Sequence, residues 1–197
     1  MTDPLEDAVT ATTRGELVVF PTDTVYGLGT RPDDAAATAR LFAAKRRPRD
    51  LELPVLVASF DQARRVGAFD ERAERLVGAF WPGALTLIVP RAEAALGWDL
   101  GGVPATVGVR MPHHVLALAL LASAGPLAVT SANRSGEPTP SDCDGLVRAF
   151  GDLVAVYLCQ PEPPAGAPST VLDVTGPEPR LVREGAVPDR ELAAFLA

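Results

Sequence analysis

Two periodicities alternate along this chain. Short runs rich in Val, Leu, Ile and Thr carry the period of a strand. Between them lie stretches with apolar residues every three to four positions, the period of an amphipathic helix. The strand-like runs are Glu16 to Phe20, "LPVLVAS", "LTLIVP", "TVGVRMP", "PLAVTS", "LVAVYL", "STVLDV" and "RLVREG". The helical stretches are Pro4 to Thr13, Asp33 to Arg47, two short segments within 61–80 broken near Gly67, His113 to Ala124, Ser141 to Phe150, and a last one from Asp189 to Leu196. Asp3 ahead of Pro4, and Asp33 or Asp34 ahead of an alanine-rich run, have the chemistry of N-caps. Pro21 to Arg31, with Gly27 and Gly29, is predicted as a loop. Pro161 to Pro168 is a proline-rich connection, a surface loop or a mobile lid, and the plain loop is the commoner form. Strands and helices interleave with no break in composition. The prediction is one α/β domain over 1–197, with a twisted mixed sheet flanked by helices.

Composition narrows the function classes. Apolar residues make up 47% of the chain, ample for a packed interior, and the net charge of −7 disfavours a broad nucleic-acid surface. Cys143 and Cys159 lie apart, and His113 and His114 are adjacent, so no zinc site of the usual Cys/His kind can be built from them. The histidine pair starts a helix and reads as structural. The acidic, polar N-terminus is no secretory signal, and no apolar run approaches membrane-spanning length. The expectation is a soluble cytoplasmic protein with reduced thiols. One count stands out for chemistry. Of 18 basic residues, 17 are arginine and Lys45 is the single lysine. Codon bias accounts for that, and so does a site that needs a compact point charge.

Five stretches could carry chemistry. In "FPTDTVYGLG", Thr22, Thr24 and Tyr26 stand at alternate positions and share a face if the segment is extended. A polar strand exit is the structural alternative. "KRRP", with Lys45 and Arg47, either completes a helix C-terminus or presents cations to an anion. In "TVGVRMP", Gly108 and Arg110 face one way and Val107, Val109 and Met111 the other. An arginine there suits a carboxylate or phosphate, or a structural ion pair. "TSANRSG" supplies Ser131 and Asn133 at a strand end, where ligands bind in open sheets and where turns also form. "PSTVLDV" with "LVREG" brings in Ser169, Thr170 and Arg183. No serine or cysteine has an obvious histidine partner, and the common Gly-rich nucleotide motifs are absent. The inventory fits anion binding with catalysis by positioning.

"PTDTVYGLG", "KRRP", "FWPGALTLIV", "VGVRMP", "TSANRSG" and "STVLDV…LVREG" occur in that order from about Glu16 to Gly185. This set resembles the YrdC/Sua5 family, the L-threonylcarbamoyladenylate synthases. The resemblance implies an α/β fold with a concave, locally positive cavity. It implies an enzyme making threonylcarbamoyl-AMP and pyrophosphate from L-threonine, bicarbonate or CO₂, and ATP, with Mg²⁺ held mainly through the phosphates. The product would feed N6-threonylcarbamoylation of tRNA adenosine 37 by a separate transferase complex, with tRNA binding weak or indirect. The family's Lys, Arg, Ser, Asn set maps onto Lys45, Arg47, Ser131 and Asn133, with Lys45 and Arg47 the expected catalytic cations. Thr22, Thr24, Thr106, Arg110, Ser141, Ser169 and Arg183 fall at substrate-contacting positions, and the resemblance implies that Arg110 holds threonine's carboxylate. The run "RDLELPVLVAS" lacks the asparagine and histidine that many members carry there. The match is to the short form, without the second domain of Sua5-type proteins. A YciO-like paralogue and an RNA-binding module of the same fold are the alternatives.

Overall fold

The computed structural model describes residues 3–196. Helices α1 to α6 each begin where a side chain can satisfy a free N–H group. Helix α1 (Pro4–Thr13) is capped by Asp3, whose carboxylate accepts from the Leu5 N–H. Helix α2 (Ala35–Lys45) is capped by Asp34, which accepts from Ala36 at 2.8 Å and Ala37 at 3.3 Å. Ser59 caps α3 (Phe60–Val66) and Asp70 caps α4 (Glu71–Phe80). His114 caps α5 (Val115–Ala124), and Asp142 caps α6 (Cys143–Phe150). Helix α7 (Asp189–Leu196) comes last. Among the described residues, no helix is long and apolar enough to cross a membrane.

The strands are β1 (Val18–Phe20), β2 (Gly27–Thr30), β3 (Val55–Leu56), β4 (Leu85–Pro90), β5 (Thr106–Arg110), β6 (Leu127–Ser131), β7 (Val156–Tyr157), β8 (Thr170–Asp173) and β9 (Arg180–Arg183). They form one mixed sheet in the order β7-β1-β2-β6-β3-β5-β4-β8-β9. The single α/β domain with a mixed sheet is thus as expected, but two elements differ from the pattern. Gly27 to Thr30 is a strand, not loop: it pairs antiparallel with β1, Phe20 opposite Gly27, and with β6, Gly27 opposite Ser131. Glycine masks it, because glycine has low strand propensity. The structure needs glycine there: a Cβ on Gly27 would meet Val129 Cγ1 at 2.9 Å. The run 153–158 is strand only over Val156–Tyr157, because a 3₁₀ turn occupies Gly151–Leu153.

The thiol expectation is overturned. Cys143 and Cys159 form a disulfide, with Cα atoms 5.7 Å apart. A separation of 16 residues in sequence gives no hint of it. Helix α6 and β7 fold back so that the start of one meets the end of the other.

The sheet's two faces are covered unequally, and this creates the site. On one face Val19, Leu28, Val55, Leu85, Leu87, Val107, Val109 and Leu172 join a core with residues of α2, α3, α4 and α6. On the other, Val18, Phe20, Leu127 and Val129 pack against Ala8 and Ala11 of α1 and Ala117, Leu120 and Leu121 of α5. Those two helices cover the β1–β6 half. Along β5, β4 and β8 the same face presents Gly108, Arg110, Thr86, Ile88 and Val171 to a cavity. Strand alternation thus buries one set of residues and opens the other.

Helix α2 delivers two cations to that region, so its cap has functional weight. Replacing Asp34 by Ala removes both cap bonds and is expected to lower unfolding stability by about 1 kcal/mol in urea titration. Unchanged stability would show that the cap does not hold the helix start.

Candidate active site

The cavity holds about 550 Å³ and is lined by residues from several distant parts of the chain. That size suits a nucleotide-sized ligand, since small-molecule sites run from roughly 300 to 1,000 Å³. Its walls come from the segment between β1 and β2, the turn after α2, strands β4, β5, β6 and β8, and Arg183 of β9.

Lys45 is the last residue of α2, and its side chain is 2% exposed. Its ammonium donates to Ser131 O at 2.6 Å, Asn133 Oδ1 at 3.2 Å and Ser131 Oγ at 3.4 Å. The Ser135 N–H in turn donates to Lys45 O at 3.1 Å. The Asn133 amide is fixed in orientation, because its Nδ2 donates to Arg134 O and Glu137 O. The single lysine therefore joins the end of α2 to the Ser131–Asn133 turn, and among the described residues its hydrogen-bond partners include no carboxylate. Burial, with the nearby Arg47 charge adding to it, brings its pKa down to about 8.

Arg46 follows in the left-handed conformation, φ 52°, a conformation that favours glycine. The Arg46 N–H reaches Ala43 O and the Arg47 N–H reaches Phe42 O, both at 3.0 Å. This reversal separates two neighbours: Lys45 turns inward, and Arg47 lines the cavity. Arg47 donates only to the carbonyls of Leu51 and Glu52. Arg183 donates to Ser169 O at 2.7 Å and Ser169 Oγ at 3.1 Å. Ser169 Oγ also lies 2.9 Å from Thr86 Oγ1. Burial lowers the pKa of both arginines, and Arg183 adds repulsion at Arg47. Neither arginine forms a salt bridge among the described residues. Two like charges facing one cavity, Arg47 partly buried and Arg183 exposed, favour an anion between them.

Arg110 is arranged differently. It donates from Nε to Gly83 O at 2.9 Å, from Nη1 to Thr24 Oγ1 at 2.9 Å, and from Nη2 to Asp23 Oδ1. Burial lowers its pKa, and Asp23 opposes that. Three of the five N–H groups of the fork are thereby engaged. Arg110 lines the cavity as expected, but it is also the structural ion pair that its sequence context left open. Gly83 supplies its carbonyl from the "FWPGALTLIV" stretch. A Cβ there would sit 2.4 Å from Phe80 O, so the close approach requires glycine.

Thr22 and Thr24 do meet, with Oγ1 atoms 3.0 Å apart. Simple alternation is not the reason, because the chain bends over 23–25. Thr22 Oγ1 donates to Val25 O at 2.6 Å and accepts from the Thr24 and Val25 N–H groups. The Thr24 hydroxyl therefore donates to Thr22 and accepts from Arg110. Tyr26 leaves this face for the core and bonds to Gln160.

Of the expected site residues, Thr22, Thr24, Arg47, Arg110, Ser131, Ser169 and Arg183 line one cavity. Lys45 and Asn133 lie behind Ser131, bonded to each other. Thr106 shares the strand face of Gly108 and Arg110 but does not line the cavity, and its carbonyl accepts from Arg91. Ser141 is exposed, just before the α6 cap, and also lies outside the lining. The sequence reading missed Asp23, Asp50 and Glu52. Asp23 sits between the two threonines, and a charge inside that motif was the available signal. Glu52 accepts from the buried Arg91 at 3.0 Å; burial still raises its pKa to about 7 against that pairing. His114 has a structural place: its Nδ1 accepts from Ala117, so its Nε2 donates to Gln160 Oε1 at 2.9 Å.

A family model named Sua5_yciO_yrdC, described as "Telomere recombination", matches residues 10–185. The chain belongs to the Sua5/YciO/YrdC family. A Mycobacterium tuberculosis protein, provisionally named a threonylcarbamoyl-AMP synthase, is 46% identical over 190 residues, covering 96% of this chain and 87% of that one. The threonylcarbamoyl-AMP synthase of Pyrococcus abyssi is 42% identical over 180 residues, covering 90% of this chain. This chain spans about half of that archaeal protein, 53%. The crystal structure of P. abyssi Sua5 complexed with L-threonine superposes with a TM-score of 0.90 at 36% identity, covering all of this chain and 59% of that one.

Lys45 gives this site a pH signature. Its folded pKa lies below the unfolded value of 10.5, so its charge is lost as pH rises through about 8. Protonation is also the form that burial disfavours, so the Lys45 contribution to stability rises with pH above that point. Pyrophosphate binding, measured by calorimetry, is expected to weaken as pH is raised through about 8, and to be weaker and flat in Lys45→Met. Equal affinity across that range in the wild type would contradict the assignment.

Proposed function

We propose that this chain is a threonylcarbamoyl-AMP synthase, a nucleotidyltransferase that converts L-threonine, bicarbonate or CO₂, and ATP to threonylcarbamoyl-AMP and pyrophosphate. The observation that carries the reading is the pairing of Arg47 and Arg183, without salt-bridge partners among the described residues, in one cavity beside the Lys45–Ser131–Asn133 cluster. Family membership and relatives named for this reaction support it.

In this proposal the threonine amine attacks CO₂ to give a carbamate. A carbamate oxygen then attacks the α-phosphorus, and pyrophosphate leaves. Neither step needs a protein nucleophile. Both gain from held reactants and from cations placed where negative charge spreads. Arg47 and Arg183 neutralise the phosphates. Lys45 fixes Ser131 and Asn133, and in its charged form adds positive potential behind them. Arg110 holds the Thr22–Thr24 wall in shape, and its two remaining N–H groups stay available to threonine's carboxylate. Ser169 is oriented by Arg183 and Thr86 toward the nucleotide.

Among the described residues, no group of three or more His, Cys, Asp or Glu is placed to hold a metal ion. Asp50 and Glu52 line the cavity, and Arg91 already engages Glu52. Mg²⁺ therefore enters the proposal on the phosphate oxygens of ATP, where it would shield their charge. A cytoplasmic site of action and supply of the product to tRNA modification belong to the same proposal.

The test is pyrophosphate release with ATP, bicarbonate and L-threonine. Release should require threonine, and threonine-independent release would remove the proposed substrate. Arg183→Met should lower kcat/KM for ATP about tenfold to a hundredfold, since a charge-assisted hydrogen bond contributes roughly 1.5–3 kcal/mol. Unaltered kinetics would take Arg183 out of the phosphate site.

A further inference from the structure

The Cys143–Cys159 disulfide has no part in the proposed chemistry, yet it links two loops that each reach the cavity wall at one end, at Ser131 and at Pro168. Cys143 is the first residue of α6. It ends the arm 132–142 that leaves Ser131, and most of residues 135–142 are exposed. Cys159 follows β7 and begins the proline-rich strap 160–168, which runs to Pro168 and Ser169 on the cavity wall. Residues 161–163 and 165–168 are exposed.

The roots of both segments are well bonded, but beyond Ser135 in the arm and beyond Gln160 in the strap few hydrogen bonds hold the chain. Asn133 Nδ2 anchors the start of the arm on Glu137 O at 2.7 Å, and Thr139 Oγ1 reaches Asn133 Oδ1 at 3.3 Å. The Gln160 N–H donates to Tyr26 Oη at 3.2 Å, and the Gly166 N–H donates to Thr24 O at 2.7 Å. That last bond ends on the threonine wall itself. Both cysteines are half-buried, so a small thiol can approach them. Ser141, outside the cavity lining, rides on the arm two residues from Cys143.

We propose that Cys143–Cys159 is a thiol–disulfide exchange site that ties the arm and the strap together across one end of the cavity, and that its reduction by a dithiol loosens both and weakens nucleotide retention. The reaction balances simply. A dithiol thiolate attacks one sulfur, and the mixed disulfide closes on the second thiol. The reductant leaves as a cyclic disulfide, and its two protons end on Cys143 and Cys159. Cutting the cross-link restores the freedom that a closed 16-residue loop had removed. Nucleotide binding must then order the arm and strap at its own expense. Retention of the nucleotide rests on the function proposed above; the cross-link and its effect on the loops do not.

The test compares the full chain after oxidation with oxidised glutathione and after reduction with dithiothreitol, alongside a Cys143→Ser/Cys159→Ser double variant. Mass spectrometry of unreduced peptides should find the 143–159 bond. Hydrogen exchange in peptides covering 134–142 and 160–168 should quicken on reduction. The KM for ATP should rise roughly tenfold. The double variant should match the reduced protein and ignore the dithiol. Absence of the bond after oxidation, equal exchange in the two states, or an equal KM would each overturn the proposal. If neither state releases threonine-dependent pyrophosphate but exchange still responds, the synthase reading fails and the tether stands. ATP affinity by calorimetry then replaces KM, and equal affinity in the two states overturns the retention claim.

Discussion

The site depends on one contact: the Lys45 ammonium against the carbonyl of Ser131, 86 residues away in sequence. It fixes the end of α2 on the end of β6, where the sheet face opens. Without it, nothing ties the reversal at Arg46, which turns Arg47 toward the cavity, to the open sheet face. A neutral side chain of the same length would fill the space but leave the Ser131 and Asn133 oxygens without a donor, and unpaired buried acceptors are costly. An arginine would bring a planar fork into a space that fits three short bonds from one nitrogen. The chain uses arginine at every other basic position, and here the geometry supplies the reason for its exception.

Around that contact the charges divide into two kinds. Arg91 and Arg110 are neutralised by Glu52 and Asp23, and they shape the walls. Among the described residues Arg47 and Arg183 hydrogen-bond only to carbonyl and hydroxyl groups, Asp50 attracts Arg47 without a salt bridge, and the two arginines leave positive potential in the cavity. An acidic protein with net charge −7 can therefore present a cationic pocket, because the pocket's charge is set by a few local side chains and the rest of the surface carries the net negative charge. The half-covered sheet face makes this possible. Helices α1 and α5 protect one half, and the other half, built from Gly108, Arg110, Thr86 and Val171, is left for a ligand.

Much of this was legible in the chain. The helices could be read because caps such as Asp3 and Asp34 precede periodic runs, and both signals are local. The inward and outward faces of β5 followed from alternation alone. What failed was set by tertiary contact. Gly27 and Gly29 hid a central strand because Phe20 and Val129 need the space. The Asp23–Arg110 pair depended on a bend that no periodicity encodes. Thr106 and Ser141 carried family positions, but the cavity boundary stops short of both. The disulfide was invisible because only the return of α6 and β7 brings the two cysteines together.

The most direct measurement is a crystal structure with a non-hydrolysable ATP analogue and L-threonine bound. The account predicts phosphate oxygens within hydrogen-bond reach of Arg47, Arg183 and Ser131, with Lys45 still donating to Ser131 O. Phosphates seated elsewhere, with Arg47 and Arg183 keeping only their carbonyl and hydroxyl partners, would contradict it.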